Sequence, residues 1–313
     1  MATVLAKDPL SPSRPYNDYA SYLRNLFGCR VQKISLDAGL TCPNRDGTKG
    51  QEGCIYCDAL GSGNGAFNRG LSIREQLLRG KGFYFNRVQA RKFIAYFQSF
   101  SNTYAPLEKL KGLYAEALSD ADVVGLAVGT RPDCVGPEIL DLLAGYQKDY
   151  LVWVEYGLQS FQAATLDRLN RGHGLEDFIR AVEETRKRAL NICVHVIIGL
   201  PGEGLEEVMQ TAEKLSHLDI QGLKIHSLYI SRGTPLEAWY REGRFQPIRQ
   251  EDFVAWTCRF LQQCPPHWVI QRLTGDPDPT SLVAPAWAVQ KQETIKMIRD
   301  CFLKTGTFQG SNR

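Results

Sequence analysis

Cys42, Cys54 and Cys57, in the stretch TCPNRDGTKGQEGCIYC, are the residues with the plainest chemical capacity in this chain. Thiolates are soft ligands that select iron–sulfur clusters, zinc or copper(I). Cys54 and Cys57 form a C-x-x-C turn that grips one inorganic centre from a single loop, and eleven residues separate Cys42 from Cys54. No fourth cysteine or histidine follows Cys57 at ligand spacing. Closed structural sites take four protein ligands. Three thiolates on one loop therefore point to a [4Fe–4S] cluster with one iron left open for catalysis. A structural zinc completed by a remote residue is the alternative.

The elements around this loop follow from periodicity. Residues 30–36 (RVQKISL) alternate as a strand does, and the cysteine loop comes directly after them. Ser72 and Glu75 form a capping box that opens a basic helix. Apolar runs of strand length recur at 92–100, 122–129, 151–159, 191–200 and 222–230. Helical stretches lie between them at 106–118, 136–147, 175–190 and 205–218. About six strand–helix repeats predict an α/β fold with a parallel sheet, a partial (β/α)6 TIM-like barrel. The strands are apolar at nearly every position, as expected when both faces are covered. Residues 1–28 read as a polar lead-in, 29–235 as the core and 236–313 as a mainly helical C-terminal extension.

Such barrels carry function at the C-terminal ends of their strands. The polar residues at those ends are Cys42, Thr130 and Arg131, Gln159, and the turn Gly199–Gly202. Cys134, His173, Lys224 and His226, with Arg131 and Asp133, are candidates to face a substrate. Cys134 is the one to test as a hydrogen-atom donor. Of nine cysteines, Cys29, Cys134, Cys193, Cys258, Cys264 and Cys301 show no second cluster spacing. Cys264-Pro-Pro-His267 invites a metal reading, but buried small hydrophobes are the default.

Composition bounds the class. The 313 residues are 43% hydrophobic and 23% charged, as in ordinary globular proteins. The nine cysteines make no disulfide scaffold at this length, and C-x-x-C in an α/β chain favours a reducing compartment, hence the cytoplasm. No apolar run reaches the roughly 18 residues of a spanning helix, so no membrane partner is expected. The first twenty residues lack an apolar signal core. The net charge of +3 is too mild to specify nucleic acid. Between Arg69 and Lys92, however, seven cations meet one acid, Glu75, with Phe83, Tyr84 and Phe85 among them. Such a mixture can hold phosphates and stack bases, or it is a solvated helix face with its aromatics turned inward.

The cysteine spacing, the strand–helix order and the segment EYGLQSFQAATLDRLNRGH together resemble the radical S-adenosylmethionine (SAM) enzymes. The branch it is most similar to includes the YhcC/YtqA-type proteins and, more distantly, the radical SAM half of Elongator subunit three. The pattern RLTGDPDP…PAW…K, from Arg272 to Lys291, extends the likeness to nearly the whole chain. The resemblance implies a [4Fe–4S] cluster on Cys42, Cys54 and Cys57, with SAM chelating the open iron. Electron transfer from the reduced cluster then breaks the sulfonium C–S bond and releases a 5′-deoxyadenosyl radical. Tyr56 is the aromatic expected near the adenine, or simple loop packing. Gly61, Gly63 and Gly65 would let backbone approach the SAM amino end. Gln159 and Arg171 resemble the pair that holds the ribose and the carboxylate, for which a planar guanidinium is suited. Glu155 shares their side of the strand in the 155, 157, 159 alternation, and either accepts from SAM or is satisfied by a neighbouring lysine. His195 stands where the porphyrin-forming relatives have an aspartate at the ribose, and is otherwise a hydrogen-bonded core histidine.

As partners the resemblance implies SAM, an electron donor such as flavodoxin or ferredoxin, and tRNA, with the C5 side chain of the wobble uridine as target. A small-molecule substrate and a non-catalytic metal-binding module are the competing readings. These 313 residues show no acetyltransferase pattern, so the whole Elongator activity is not expected to carry over.

Overall fold

The computed structural model describes residues 9–61 and 70–313. The chain opens with α1 (Tyr19–Phe27), capped by the Asp18 carboxylate and ended by the left-handed Gly28. There follow β1 (Val31–Leu36), α2 (Ile73–Val88), β2 (Lys92–Phe97), α3 (Leu107–Leu118), β3 (Val123–Thr130) and α4 (Pro137–Tyr146). Next come β4 (Leu151–Gln159), α5 (Ala163–Arg168), α6 (Leu175–Arg186), β5 (Asn191–Ile198), α7 (Leu205–Ser216) and β6 (Gly222–Ser227). The C-terminal part holds β7 (Ile230–Ser231), α8 (Pro235–Arg241), α9 (Gln250–Gln263), β8 (Val269–Arg272), β9 (Leu282–Ala284) and α10 (Lys291–Thr305). The Ser72–Glu75 capping box is formed at the start of α2.

Strands pair in the order β1-β2-β3-β4-β5-β6-β8, all parallel, giving a half-barrel backed by helices. Parallel neighbours need a crossover helix, and the alternating apolar runs supply one each time. The sheet extends one strand further than the six repeats expected from sequence. Strand β8 comes from beyond residue 235 yet joins the same sheet, Gly222 of β6 pairing with Val269. Four residues after a Pro-Pro-His turn carry too short an apolar signal to be read as a strand.

Strand alternation divides the inside of the barrel from the outside. Residues 152, 154, 156 and 158 of β4 pack outward in the main core with helix residues such as Leu140, Phe178 and Leu215. Leu151 and Trp153 point into the bore, where Ile94, Ala127, Cys193 and Val269 join them. Helix α1 plugs that end: Tyr19 and Tyr22 stack on each other and meet Trp153 edge-on. It also covers the seam between the edge strands, since the Asn17 carbonyl accepts from the Ile270 N–H.

Above the apolar plug sits a layer of buried charge. Glu155 is wholly buried and paired with both Lys33 of β1 and Lys224 of β6. His195 Nε2 lies 2.8 Å from its second oxygen. Lys33 also donates to Gln271 of β8 at 2.7 Å, so one ammonium links the first strand to the last. Burial opposes ionisation of Glu155, but Lys224, Lys33 and His195 hold its carboxyl well below the usual range. Burial pushes Lys224 down to about 7 against the attraction of Glu155. Removing one member of such a set leaves an uncompensated charge in the interior. We expect Glu155→Gln to cost about 3–5 kcal/mol in guanidinium unfolding; a loss below ~1 kcal/mol would mean the layer is hydrated and dispensable.

Candidate active site

The cysteine loop leaves the C-terminal end of β1 and is folded on itself by its own backbone. The Cys42 carbonyl accepts from Arg45 N–H at 2.8 Å, and the Cys54 carbonyl from Cys57 N–H at 2.9 Å. The Pro43 carbonyl accepts from Lys49 N–H, and the Asn44 carbonyl from Gly53 N–H at 2.8 Å. Arg45 crosses the loop to donate to the Cys57 and Asp58 carbonyls, both at 2.7 Å.

A second segment, 169–174 between α5 and α6, clasps this loop. Ile55 N–H donates to the Leu169 carbonyl at 3.1 Å. The Asn44 amide donates to the Asn170 carbonyl, and the Asn170 amide returns a bond to the Gly53 carbonyl at 2.8 Å. Buried Arg171 donates from one nitrogen to Cys54 Sγ at 3.1 Å and to the Tyr56 hydroxyl at 3.0 Å. Its other terminal nitrogen reaches the Gly157 carbonyl and lies 3.0 Å from His173 Nε2.

The three cysteines border one cavity of about 360 Å³ at the C-terminal ends of the strands, and no other cysteine lines it among the described residues. Gln159, Arg171, His195 and His226 face it from β4, the clasp, β5 and β6, and Arg272 and Asp276 reach its rim from the C-terminal part. Gln159 has φ +78 at a register shift in β4, a conformation disfavoured for a non-glycine side chain. The strand bulges there and turns the amide toward the cavity wall. A Cβ on Gly157 would come within 2.9 Å of that amide, so glycine keeps the wall open.

Several residues expected at the site stand elsewhere in it. Tyr56 and Gly61 line the cavity; Gly63 and Gly65 lie outside the described residues. Gly61 has φ +64 and a Cβ there would strike the Phe100 ring, so its backbone role is also a packing requirement. Glu155 borders the cavity, yet its oxygens are taken by Lys33, Lys224 and His195. The neighbouring-lysine alternative describes it. Lys224 does not line the cavity: it is 3% exposed and its ammonium lies over the Tyr96 ring at 4.1 Å. Cys134 and His173 do not line the cavity either. Burial and Asp133 push the Cys134 thiol up to about 11. Burial, Arg171 and Arg131 bring His173 down to about 3, so it stays neutral. Asp133 turns to Arg131 and Lys49 instead of the cavity.

Lys33, Asn44, Arg45 and Asn170 were not singled out from the sequence, although all four hold the site. Lys33 offered one signal, a cation inside an otherwise half-apolar strand. The asparagines act through backbone contacts across more than a hundred residues, which leave no local pattern.

These residues suit an iron–sulfur cluster with a polar nucleotide beside it. The donor set is three sulfurs from one loop, flanked by guanidinium groups that offset the charge of a thiolate-bound cluster. Arg171 Nε and His226 Nε2 are buried without a protein partner. As a check on the clasp, Asn170→Ala removes one side-chain hydrogen bond at a residue with φ +54. Together these are worth about 2 kcal/mol of local stability, and proteolysis within 42–61 should accelerate at least about tenfold. An unchanged cleavage rate would deny the clasp its role.

Sequence and structure comparisons agree with this arrangement. The profile of the Radical SAM superfamily matches residues 44–215, and that of the Radical_SAM C-terminal domain matches 220–303. YtqA of Bacillus subtilis (strain 168) is 38% identical over 295 residues, covering 94% of this chain and 92% of that protein. A tRNA uridine(34) acetyltransferase of Methanocaldococcus infernus is 30% identical over 150 residues, 47% of this chain and 27% of that enzyme. Among solved structures, M. infernus Elp3 with an N-terminal deletion superposes with a TM-score of 0.64 at 18% identity, covering 87% of this chain. This chain spans 63% of that structure, and the likeness is one of fold. With one profile across most of the half-barrel and a relative alike along nearly its whole length, the chain belongs to the radical SAM superfamily.

Proposed function

We propose that this protein is a radical SAM enzyme that holds a [4Fe–4S] cluster on Cys42, Cys54 and Cys57 and modifies tRNA at the C5 side chain of the wobble uridine. The observation that carries the chemistry is the meeting of three thiols from one loop at a single cavity at the strand ends. When bound and reduced, the cluster supplies the electron that splits SAM into methionine and a 5′-deoxyadenosyl radical.

The protein's own residues bind and orient. Gln159, turned by its strained backbone, offers its amide to the ribose. Arg171, whose two terminal nitrogens are already engaged, offers its one unpartnered N–H, at Nε, to the carboxylate. His195 reaches the nucleoside, and Glu155 behind it fixes the imidazole as a buried carboxylate does. Burial and Lys224 bring His195 down to about 4, so it serves as a neutral ring across the physiological range. Tyr56 packs beside the adenine, and Gly61 lets backbone approach the amino end. The apolar plug at the far end of the bore keeps bulk water from the reacting atoms.

Two observations support tRNA as substrate. One is the local identity with a tRNA uridine(34) acetyltransferase over about half of the chain. The other is the surface of α2, where Phe83 and Phe85 are 44% and 48% exposed and Arg87 lies over the Phe83 ring. Of the three aromatics there, Tyr84 packs inward and the two phenylalanines do not. Exposed rings beside arginines suit stacked bases and phosphates. Lys81 is engaged with Asp120 and Asp122, so it adds less than the sequence suggests.

Anaerobic reconstitution should give roughly four iron and four sulfide per chain, and deoxyadenosine on addition of SAM and reductant. Alanine at Cys42, Cys54 or Cys57 should abolish both. Binding to tRNA should weaken steeply with salt, and Arg87→Ala with Phe83→Ala should weaken it by about tenfold. Deoxyadenosine without tRNA binding would keep the radical chemistry and move the substrate to a small molecule.

A further inference from the structure

The mechanism leaves one buried cation without a task. Arg131, at the end of β3, is only 4% exposed. Its Nη1 lies 3.9 Å from Cys42 Sγ and donates to the Arg171 carbonyl at 2.6 Å. Its Nε and Nη2 form a two-pronged pair with Asp133, each at 2.9 Å. Asp133 in turn accepts from Lys49 Nζ at 2.7 Å, and Lys49, on the cysteine loop, also donates to the Gly172 carbonyl. The Lys49–Asp133–Arg131 chain thus pins together the cysteine loop, the turn after β3 and the clasp. The guanidinium has no rotational freedom left, because its fork is fixed by Asp133 and its remaining prong by the Arg171 carbonyl.

We propose that Arg131 is a positioning residue that sets the reduction potential of the cluster through Cys42. The inference rests on the cluster reading above. A cluster on three thiolates becomes more negative on reduction, and a fixed cation with an N–H aimed at a ligand sulfur stabilises that added charge. Arg171 does the same at Cys54 from 3.1 Å. Arg171 also borders the proposed SAM carboxylate; Arg131 lines the same cavity, but its Nε and Nη2 are already given to Asp133 and its Nη1 to the Arg171 carbonyl. Arg131 is therefore where potential can be varied with least effect on SAM. A lysine at 131 keeps the charge, but a single ammonium cannot fork to Asp133 and face the sulfur together.

The test is an EPR-monitored redox titration of reconstituted wild-type, Arg131→Met and Arg131→Lys proteins, with iron and sulfide counted for each. The expected result is a full cluster in all three, a midpoint displaced to more negative potential in Arg131→Met, and a smaller displacement in Arg131→Lys. A full cluster with an unchanged midpoint in Arg131→Met overturns the proposal. So does failure of both variants to hold a cluster, since Arg131 would then serve assembly alone. If only Arg131→Met loses its cluster, the Arg131→Lys midpoint decides: a negative displacement supports the proposal and no displacement overturns it. A wild-type protein that takes up no cluster would instead defeat the reading on which the inference stands.

Discussion

The site depends on one contact between distant parts of the chain, the seating of the cysteine loop on residues 169–174. The loop contributes three sulfurs but, being rich in glycine and polar residues, has little apolar surface with which to hold a shape. Its geometry is imposed by hydrogen bonds from Asn170 and Arg171, by Ile55 against Leu169, and by Arg45 across its own turn. Ile55 and Leu169 share a small apolar cluster with Leu200, Leu228 and Leu236, which anchors the clasp to the upper end of the barrel. The sulfurs are therefore positioned by the segment after β4, the same strand that presents Gln159. The clasp that follows β4 seats the three cysteines while β4 itself presents Gln159, so that their spacing does not rely on a flexible loop.

Below the site, the bore changes character by levels along β4: Leu151 and Trp153 are apolar, Glu155 is charged, Gly157 is vacant and Gln159 is polar and strained. Each step is two residues, the period of a strand. The charged level is a costly choice for a core. It is tolerated because Glu155 has two ammonium partners and a histidine, and because two of the three lie on strands remote from β4. The arrangement holds the open barrel together across its seam through Lys33 and Gln271, while supporting His195 from beneath.

The sequence made the sheet legible because buried parallel strands are continuous apolar runs and their crossovers are amphipathic helices. The convergence of Cys42, Cys54 and Cys57 on one cavity and the side shared by Glu155, Gly157 and Gln159 were legible for similar reasons, spacing in one case and alternation in the other. Strand β8 was hidden by its brevity. Lys224 and Glu155 stand out in sequence because charge in an apolar strand usually has a purpose; the structure pairs them with each other, and Glu155 also with Lys33 and His195 at the cavity wall. His173 and Cys134 sit next to the site in sequence but behind it in space, because turns direct successive side chains apart. The Asn44–Asn170 clasp joins residues 126 positions apart, and no single-sequence pattern encodes such a pair.

The account stands or falls on whether the three-thiolate centre keeps a vacant iron that SAM occupies. The direct measurement is EPR with electron–nuclear double resonance on the reduced, reconstituted protein, before and after adding SAM labelled with ¹⁵N at its amino group or ¹⁷O at its carboxylate. The account predicts a changed cluster signal and resolved coupling to both labels. An assembled and reducible cluster whose signal ignores SAM, with no coupling to either label, would contradict it.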